Sequence, residues 1–197
     1  MRLDESFQIF DRNKSSVDSN VMWEDLEKRI AAETRERPRR ILELVLAHVK
    51  AEASKDLDGV LNTLVERPVY RFFNYDDNPD LNPGSTRDEI ATFYDKLVFT
   101  PDAFRIEMKM EIIIVDDDGA LTEGPGYWAY PGTTLRDQMG MADADPDEFY
   151  IRAHRVAIIW PYDADQDRLV GELVYHSSEG FENILDRKIT GGITGPA

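Results

Sequence analysis

A run of alternating residue types between positions 104 and 114 is the feature that most restricts how this chain can fold. The even positions are apolar from Phe104 to Ile114, while the odd positions from Arg105 to Glu111 are charged. A period of two is typical of a β-strand with one face on a dry core and the other face in water. The alternation therefore predicts a strand in a sheet that is covered on one side.

Turn signals and strand-like runs continue this pattern through the C-terminal half of the chain. The sequence Asp-Asp-Asp-Gly at 116–119 is typical of a hairpin turn. Further strands are predicted over 121–130, 149–161 and 168–178, with an irregular acidic insertion at 131–148. These segments favour an antiparallel sheet.

The N-terminal half has helical periodicity instead. Apolar residues recur there at spacings of three and four, and the runs begin beside capping residues or a proline. The predicted helices run from Ser19 to Arg37, from Pro38 to about Ser54, onward from the N-cap Asp56, and onward from Ser85 or Thr86, with a strand at 69–73 and a loop at 74–84. Helices followed by a run of strands indicate the α+β class.

The charge balance and the absence of cysteine argue against several functions. The chain has 23 basic and 39 acidic residues, a formal charge of −16. An acidic surface repels phosphates, so neither nucleic acid nor a membrane is expected as a partner. Without cysteine there is no thiolate nucleophile, disulfide or Cys-ligated zinc. No phosphate loop or dinucleotide motif occurs, so no cofactor is predicted.

The sequence also predicts a cytoplasmic location. The first residues, Met1 to Glu5, carry acids where a signal peptide needs an apolar run. No apolar stretch approaches the roughly 20 residues that span a bilayer.

Three segments, in this order of elements, resemble the nuclear-transport-factor-2-like superfamily and, within it, the SnoaL-like group. They are Ser54–Asp58 at the end of the long helix, Gly84 with Asp88–Tyr94, and the closing hairpin of 158–163 and 168–175. The resemblance covers about residues 39–178. It implies a cone-shaped α+β fold, in which a curved mixed or antiparallel sheet is wrapped by three helices around an apolar pocket.

The resemblance also implies how the chain is divided. Residues 1–37 are predicted to be a helical N-terminal extension, 38–185 the SnoaL-like domain and 186–197 a flexible tail. Because the extension precedes the resemblance and is highly charged, its removal is expected to leave a folded domain.

Known members of the superfamily include steroid isomerases, polyketide cyclases, epoxide hydrolases, dehydratases and binding modules without catalysis. The resemblance places His48 where ketosteroid isomerases have a tyrosine that donates to an oxyanion, and their general base would fall near Phe72. Residues 70–73 are similar to the first strand of scytalone-type dehydratases. Tyr175-His176-Ser177 stands where SnoaL-like cyclases often have Tyr-Phe-Asp.

The three histidines are the candidate acid–base groups. If the last hairpin closes symmetrically on its turn, His154 faces His176 across neighbouring strands. Two imidazoles facing a pocket could share acid and base duties near neutral pH. The alternative is a pair on the outer face or in a dimer interface. His48 lies four residues before Glu52, either as an imidazole oriented by a carboxylate or as a buried structural pair.

The sequence therefore predicts a cofactor-independent acid–base enzyme, either a lyase such as a dehydratase, an isomerase or a cyclase, acting on a small hydrophobic cyclic or aromatic molecule. Proton transfer is assigned to His154 and His176, and donation to an oxyanion to His48, Tyr70 or Tyr175. No metal site is predicted. The alternative is a non-catalytic module that binds a small molecule or serves in assembly.

We expect the protein to form a homodimer, because the resemblance implies that the outer face of the sheet is buried in this way. The predicted strands carry apolar residues on both faces, which is consistent with this. Light scattering at micromolar concentration should give twice the mass of one chain. A mass of one chain would contradict the prediction.

Overall fold

The predicted strands form one mixed sheet of six strands, joined by a small second sheet. The computed structural model describes residues 10–73, 82–97 and 105–195. Its strands are β1 (Ser16–Asp18), β2 (Leu64–Phe72), β3 (Ile106–Met108), β4 (Ile112–Val115), β5 (Gly119–Pro131), β6 (Phe149–Asp163), β7 (Arg168–His176) and β8 (Gly192–Thr194). The large sheet has the order β2-β7-β6-β5-β3, with β4 also paired to β5. Only β2 and β7 run parallel in it, and β1 and β8 form a separate parallel pair.

Five α-helices accompany the sheet in the described ranges. They are α1 (Glu24–Ala32), α2 (Glu36–Ala53), α3 (Leu57–Asn62), α4 (Arg87–Leu97) and α5 (Gly132–Asp137). Two of the predicted N-caps are confirmed, since the Asp56 carboxylate accepts the Gly59 N–H and Thr86 forms a reciprocal capping box with Glu89. The cap predicted at Ser19 or Asn20 is wrong, because α1 begins only at Glu24 and has no side-chain cap. None of these helices is both long and apolar enough to cross a membrane.

Two features of the helices differ from the prediction. The first predicted helix is shorter in the structure: α1 ends at Ala32 and α2 already begins at Glu36, because the Glu33 carboxylate accepts the backbone N–H groups of Thr34 and Arg35 and so ends the helical ladder. Helix α5 lies inside the insertion that was predicted to be irregular. Phe104, which opens the alternating run, and most of the predicted loop at 74–84 lie outside the described residues.

The alternating run of residues is one strand in the prediction but two strands in the structure. Between β3 and β4 the pairing with β5 shifts by one residue, which is the signature of a β-bulge. Gly124 allows it, because a Cβ there would lie 1.8 Å from the Lys109 carbonyl oxygen. A shift of one residue exchanges the two faces. Met110 is therefore buried, whereas Ile114, predicted on the same face, is 61% exposed.

Both ends of the described chain pack against the large sheet. Met22, Leu26 and Ile30 belong to the main core beneath α2. The tail that was predicted to be flexible contains β8, whose Ile193 packs with Val17 of β1 against the outer side of β5 and β6. The division of the chain at residues 37 and 185 stays a prediction, but the extension contributes side chains to the core.

Part of the outer face that the resemblance assigns to dimer formation is thus covered by β1 and β8. The large apolar side chains that remain exposed on the strands or just beyond them include Val69, Phe73, Ile114 and Tyr175. The homodimer itself stays a prediction.

The packing of α1 predicts that the extension stabilises the domain. Leu26 is fully buried, so Leu26→Ala should lower the free energy of unfolding by about 2–5 kcal/mol. Chemical denaturation of this variant, compared with Lys28→Ala on the exposed side of the same helix, measures the effect. Equal stabilities for the two variants would mean that α1 is dispensable, as the sequence had suggested.

Candidate active site

A cavity of about 310 Å³ lies between the concave face of the sheet and helices α2 and α4. Its walls are mainly apolar and aromatic. The polar groups among the described lining residues are Glu52, Tyr94, Tyr130, Arg152, Glu172 and His176. An apolar cavity with a few convergent polar groups is the usual form of a site for a small molecule.

The first polar group of the cavity is a cluster around Glu172 of β7. Its Oε1 accepts a hydrogen bond from the Tyr94 hydroxyl of α4 at 3.2 Å and lies 3.0 Å from Nε2 of His48. Glu52 of α2 is the second carboxyl of this cluster. His48 and Tyr70 are buried behind the cavity wall, with the Tyr70 hydroxyl 3.3 Å from that of Tyr94.

The hydrogen bonds of Thr63 fix one proton of His48 on Nδ1. The Thr63 hydroxyl donates its only proton to the Val60 carbonyl at 2.6 Å, so it must accept from Nδ1 of His48 at 2.7 Å. The short contact between Nε2 and Glu172 then requires a proton of its own. This proton belongs either to an imidazolium beside a carboxylate or to a carboxylic acid beside an imidazole.

The pKa values of Glu52, Tyr70 and Tyr94 are shifted in this cluster. Burial, followed by the charge of Glu172, raises the pKa of Glu52 to about 8. Burial likewise raises the pKa of Tyr70 and of Tyr94 well above 10, so both remain phenols that can donate. At neutral pH the cavity therefore holds one neutral carboxyl, Glu52, beside a second carboxyl that shares a proton with His48. A carboxyl whose pKa is raised toward neutral pH is typical of a general acid or base.

The same cluster is the place where a metal could be held. One ligand atom from each of His48, Glu52 and Glu172 can be chosen so that the three lie within 4.8 Å of one another. A nitrogen and two carboxylate oxygens suit divalent transition metals. The proton between His48 and Glu172 would have to leave before a cation could bind there.

The two strand histidines form the second polar group. The register of the hairpin pairs Val156 with His176, two residues away from the symmetric closure that the sequence suggested. His154 is therefore a diagonal neighbour of His176, and the rings still meet, with Nε2 of His154 2.8 Å from Nδ1 of His176. His176 lines the cavity, whereas His154 is fully buried behind it against Trp128.

Burial and the charge of Arg152 both lower the pKa values of His154 and His176. Burial is the larger cause, and it lowers the pKa of His154 to about 2 and that of His176 to about 4. Both rings are neutral at pH 7, so one nitrogen of the contact donates and the other accepts.

The structure brings together most, but not all, of the residues selected from the sequence. His48 and Tyr70 meet at the first cluster, and His154 and His176 meet at the second. Tyr175 does not reach the cavity, because its side chain leaves the opposite face of β7, is 41% exposed and stacks on Phe73. His48 bonds to Glu172 rather than to Glu52.

Three residues of the cavity were not assigned an acid–base role from the sequence. Glu172 stands four positions before His176 on one strand, so a period of two already places both on one face. Arg152 stands two positions before His154 in the same way. Tyr94 gave no comparable signal, because its role depends on the packing of α4 against β7.

Comparisons with known proteins identify the fold. No family model and no curated protein matches the chain. A protein from Shewanella putrefaciens CN-32, provisionally assigned as a SnoaL-like polyketide cyclase, is 12% identical with a TM-score of 0.59, over 82% of this chain and 93% of its own. A similarly assigned protein from Shewanella denitrificans OS-217 is 15% identical with a TM-score of 0.57, over 76% and 98%.

An LEH-like epoxide hydrolase from M. tuberculosis is 16% identical with a TM-score of 0.55, over 77% of this chain and 94% of its own. Likeness at such low identity shows the fold alone. The chain thus has the nuclear-transport-factor-2-like fold, in the form found in SnoaL-like proteins, as the sequence predicted.

The raised pKa of Glu52 predicts a pH dependence of stability. The unfolded chain loses this proton near pH 4.5 and the folded chain near pH 8, so the folded state binds more protons between these values. Stability should then fall as pH rises through this window. Glu52→Gln should remove that decline, so its advantage over the wild type should grow between pH 5 and pH 8.

Denaturation curves across this range, with the exposed Glu66→Gln as a control, measure the effect. A Glu52→Gln variant whose stability follows the wild type at every pH would show that Glu52 titrates normally.

Proposed function

We propose that the protein is an acid–base enzyme that moves a proton on a small, largely apolar, cyclic or aromatic molecule. Lyase, isomerase and cyclase reactions all contain such a step. The observation that carries the proposal is the meeting of Glu52, Glu172 and Tyr94 at the wall of an otherwise apolar cavity. A non-catalytic binding module is expected to have an apolar or blocked cavity, so the convergence of polar groups favours an enzyme.

Glu172 is proposed as the proton acceptor. The contacts of Glu172 with His48 and Tyr94 both end on Oε1, and Oε2 is proposed as the atom that takes a proton from a ligand. In the state where His48 carries the shared proton, Glu172 is a carboxylate held in place by two donors. Removal of water by the apolar walls strengthens its interaction with a developing charge.

Glu52 is proposed as the complementary proton donor. It is neutral at pH 7 because its pKa is raised to about 8, so it can protonate a leaving group or an enolate oxygen. The Tyr94 hydroxyl lines the same wall, and its single proton can be donated to an oxyanion once it is no longer donated to Glu172. His48 and Tyr70 are proposed to position these groups from behind the wall.

The histidine pair is the second candidate for proton transfer, because His176 lines the same cavity. A neutral imidazole with a lowered pKa is a weaker base, which places the carboxyl cluster ahead of it. The proposed ligand, the cytoplasmic location and the homodimer remain proposals alongside this assignment.

Exchange of a carbon-bound proton tests the proposal directly. In D₂O the wild type should exchange the protons beside the carbonyl of 2-tetralone, followed by NMR, faster than buffer alone. Glu172→Gln should slow the catalysed exchange by about 10²-fold or more, because it removes the general base while keeping the shape of the side chain. Glu66→Gln is the matched surface control.

Two results would redirect the assignment. Alanine variants of His154 and His176 that slow exchange more than Glu172→Gln would move proton transfer to the histidines. Binding of 2-tetralone with no exchange above buffer would overturn the enzyme proposal in favour of a binding module.

A further inference from the structure

We propose that the cavity selects a flat, aromatic monoanion, with the charged oxygen of the ligand at Arg152 and its reacting hydrogen at Glu52 and Glu172. This inference rests on the proposed function and specifies its substrate class.

Arg152 of β6 is held in a cage of aromatic rings at the cavity. Its guanidinium carbon lies 4.9 Å from the ring centre of Phe181, 5.1 Å from that of Trp128 and 6.0 Å from that of Tyr130. Its Nε donates to the Glu179 carbonyl at 2.7 Å, which fixes the plane of the group. A guanidinium is always charged and presents a planar fork of N–H donors that matches a carboxylate.

The positive charge of Arg152 contrasts with the negative net charge of the chain. The net charge of −16 repels anions at long range. Among the described residues that line the cavity, however, Arg152 is the one Lys or Arg. Because Arg152 is half-buried, its attraction for an anion is screened less than on the open surface. The cavity therefore offers an anion a local cationic partner despite the negative net charge of the chain.

Arg152 and the carboxyl cluster around Glu172 lie at separate places along the cavity. Glu172, Val174 and His176 all face it from β7, and the rise of a strand places the first and last about 13 Å apart between Cα atoms. Arg152 lies at the His176 end, where Tyr130, His176 and Phe181 are half-buried, whereas Tyr94 and Glu172 are buried.

The stretch between the two ends is lined by apolar side chains, among them Val156, Ile158, Val174, Met108 and Phe93. A ligand that reaches both ends thus needs an elongated apolar body, and aromatic walls favour a flat one. The carboxyl cluster repels a second negative charge, so a monoanion is preferred over a dianion. The opposite characters of the two ends also set the orientation of the ligand.

A matched pair of ligands tests the inference. 2-Naphthoate and 2-acetylnaphthalene share one ring system, but only the first is an anion. Titrations followed by tryptophan fluorescence should show tighter binding of 2-naphthoate to the wild type. Arg152→Gln should weaken 2-naphthoate binding by roughly 10-fold to 100-fold, the usual worth of a hydrogen bond to a charged group, and leave 2-acetylnaphthalene nearly unchanged.

Two further variants keep the result interpretable. Arg71→Gln makes the same change of charge on the exposed side of β2 and should alter neither affinity. Arg152→Lys keeps a cation, so it should retain part of the preference for the anion even if Arg152→Gln folds poorly.

The outcomes separate this inference from the proposed function. Equal binding of the two ligands to the wild type, with no effect of either Arg152 variant, would overturn the anion site while leaving acid–base chemistry on a neutral ligand in place. Failure of both ligands to bind, together with no exchange of 2-tetralone, would overturn both.

Discussion

The contact between His48 and Glu172 is the interaction on which the rest of the site depends. It joins α2 to β7 through the interior, at a place where an unpaired polar group would be costly. Thr63 sets the tautomer of the imidazole, and Tyr94 adds a donor from α4. One buried network thus fixes two helices and a strand relative to one another. The same hydrogen bonds therefore hold the elements together and position the polar groups of the cavity.

The elevated pKa of Glu52 has burial as its largest cause and the charge of Glu172 as its second. Its carboxyl is buried beside a network that already carries the charge of Glu172, so a second negative charge is disfavoured. A fold that merely needed a filled core would place a leucine there. The cost of keeping two carboxyls together is the kind of local conflict that functional sites retain.

The sequence was a good guide to the elements and a partial guide to the site. Helix caps, the hairpins and the α+β class followed from local patterns, and the contact of His154 with His176 survived an error of two residues in register, because diagonal neighbours in a sheet still touch.

The bulge between β3 and β4 could not be predicted, because it depends on the approach of Gly124 from another strand. Tyr175 was placed in the site although alternation along β7 puts it on the face opposite Glu172. The contact between His48 and Glu172 could not be predicted from the sequence, because it depends on how α2 packs against β7.

The pairing of β1 with β8 has a consequence for the order in which the chain folds. The two strands come from nearly opposite ends of the sequence, yet they lie side by side and cover the outer face of β5 and β6. Closing so long a loop is entropically unfavourable until the intervening sheet exists. During synthesis, β1 therefore cannot form this pair until β8 has been made. Until they arrive, Tyr127, Ala129 and Ile151 lack this cover, and the nascent protein exposes an apolar surface that the finished one hides.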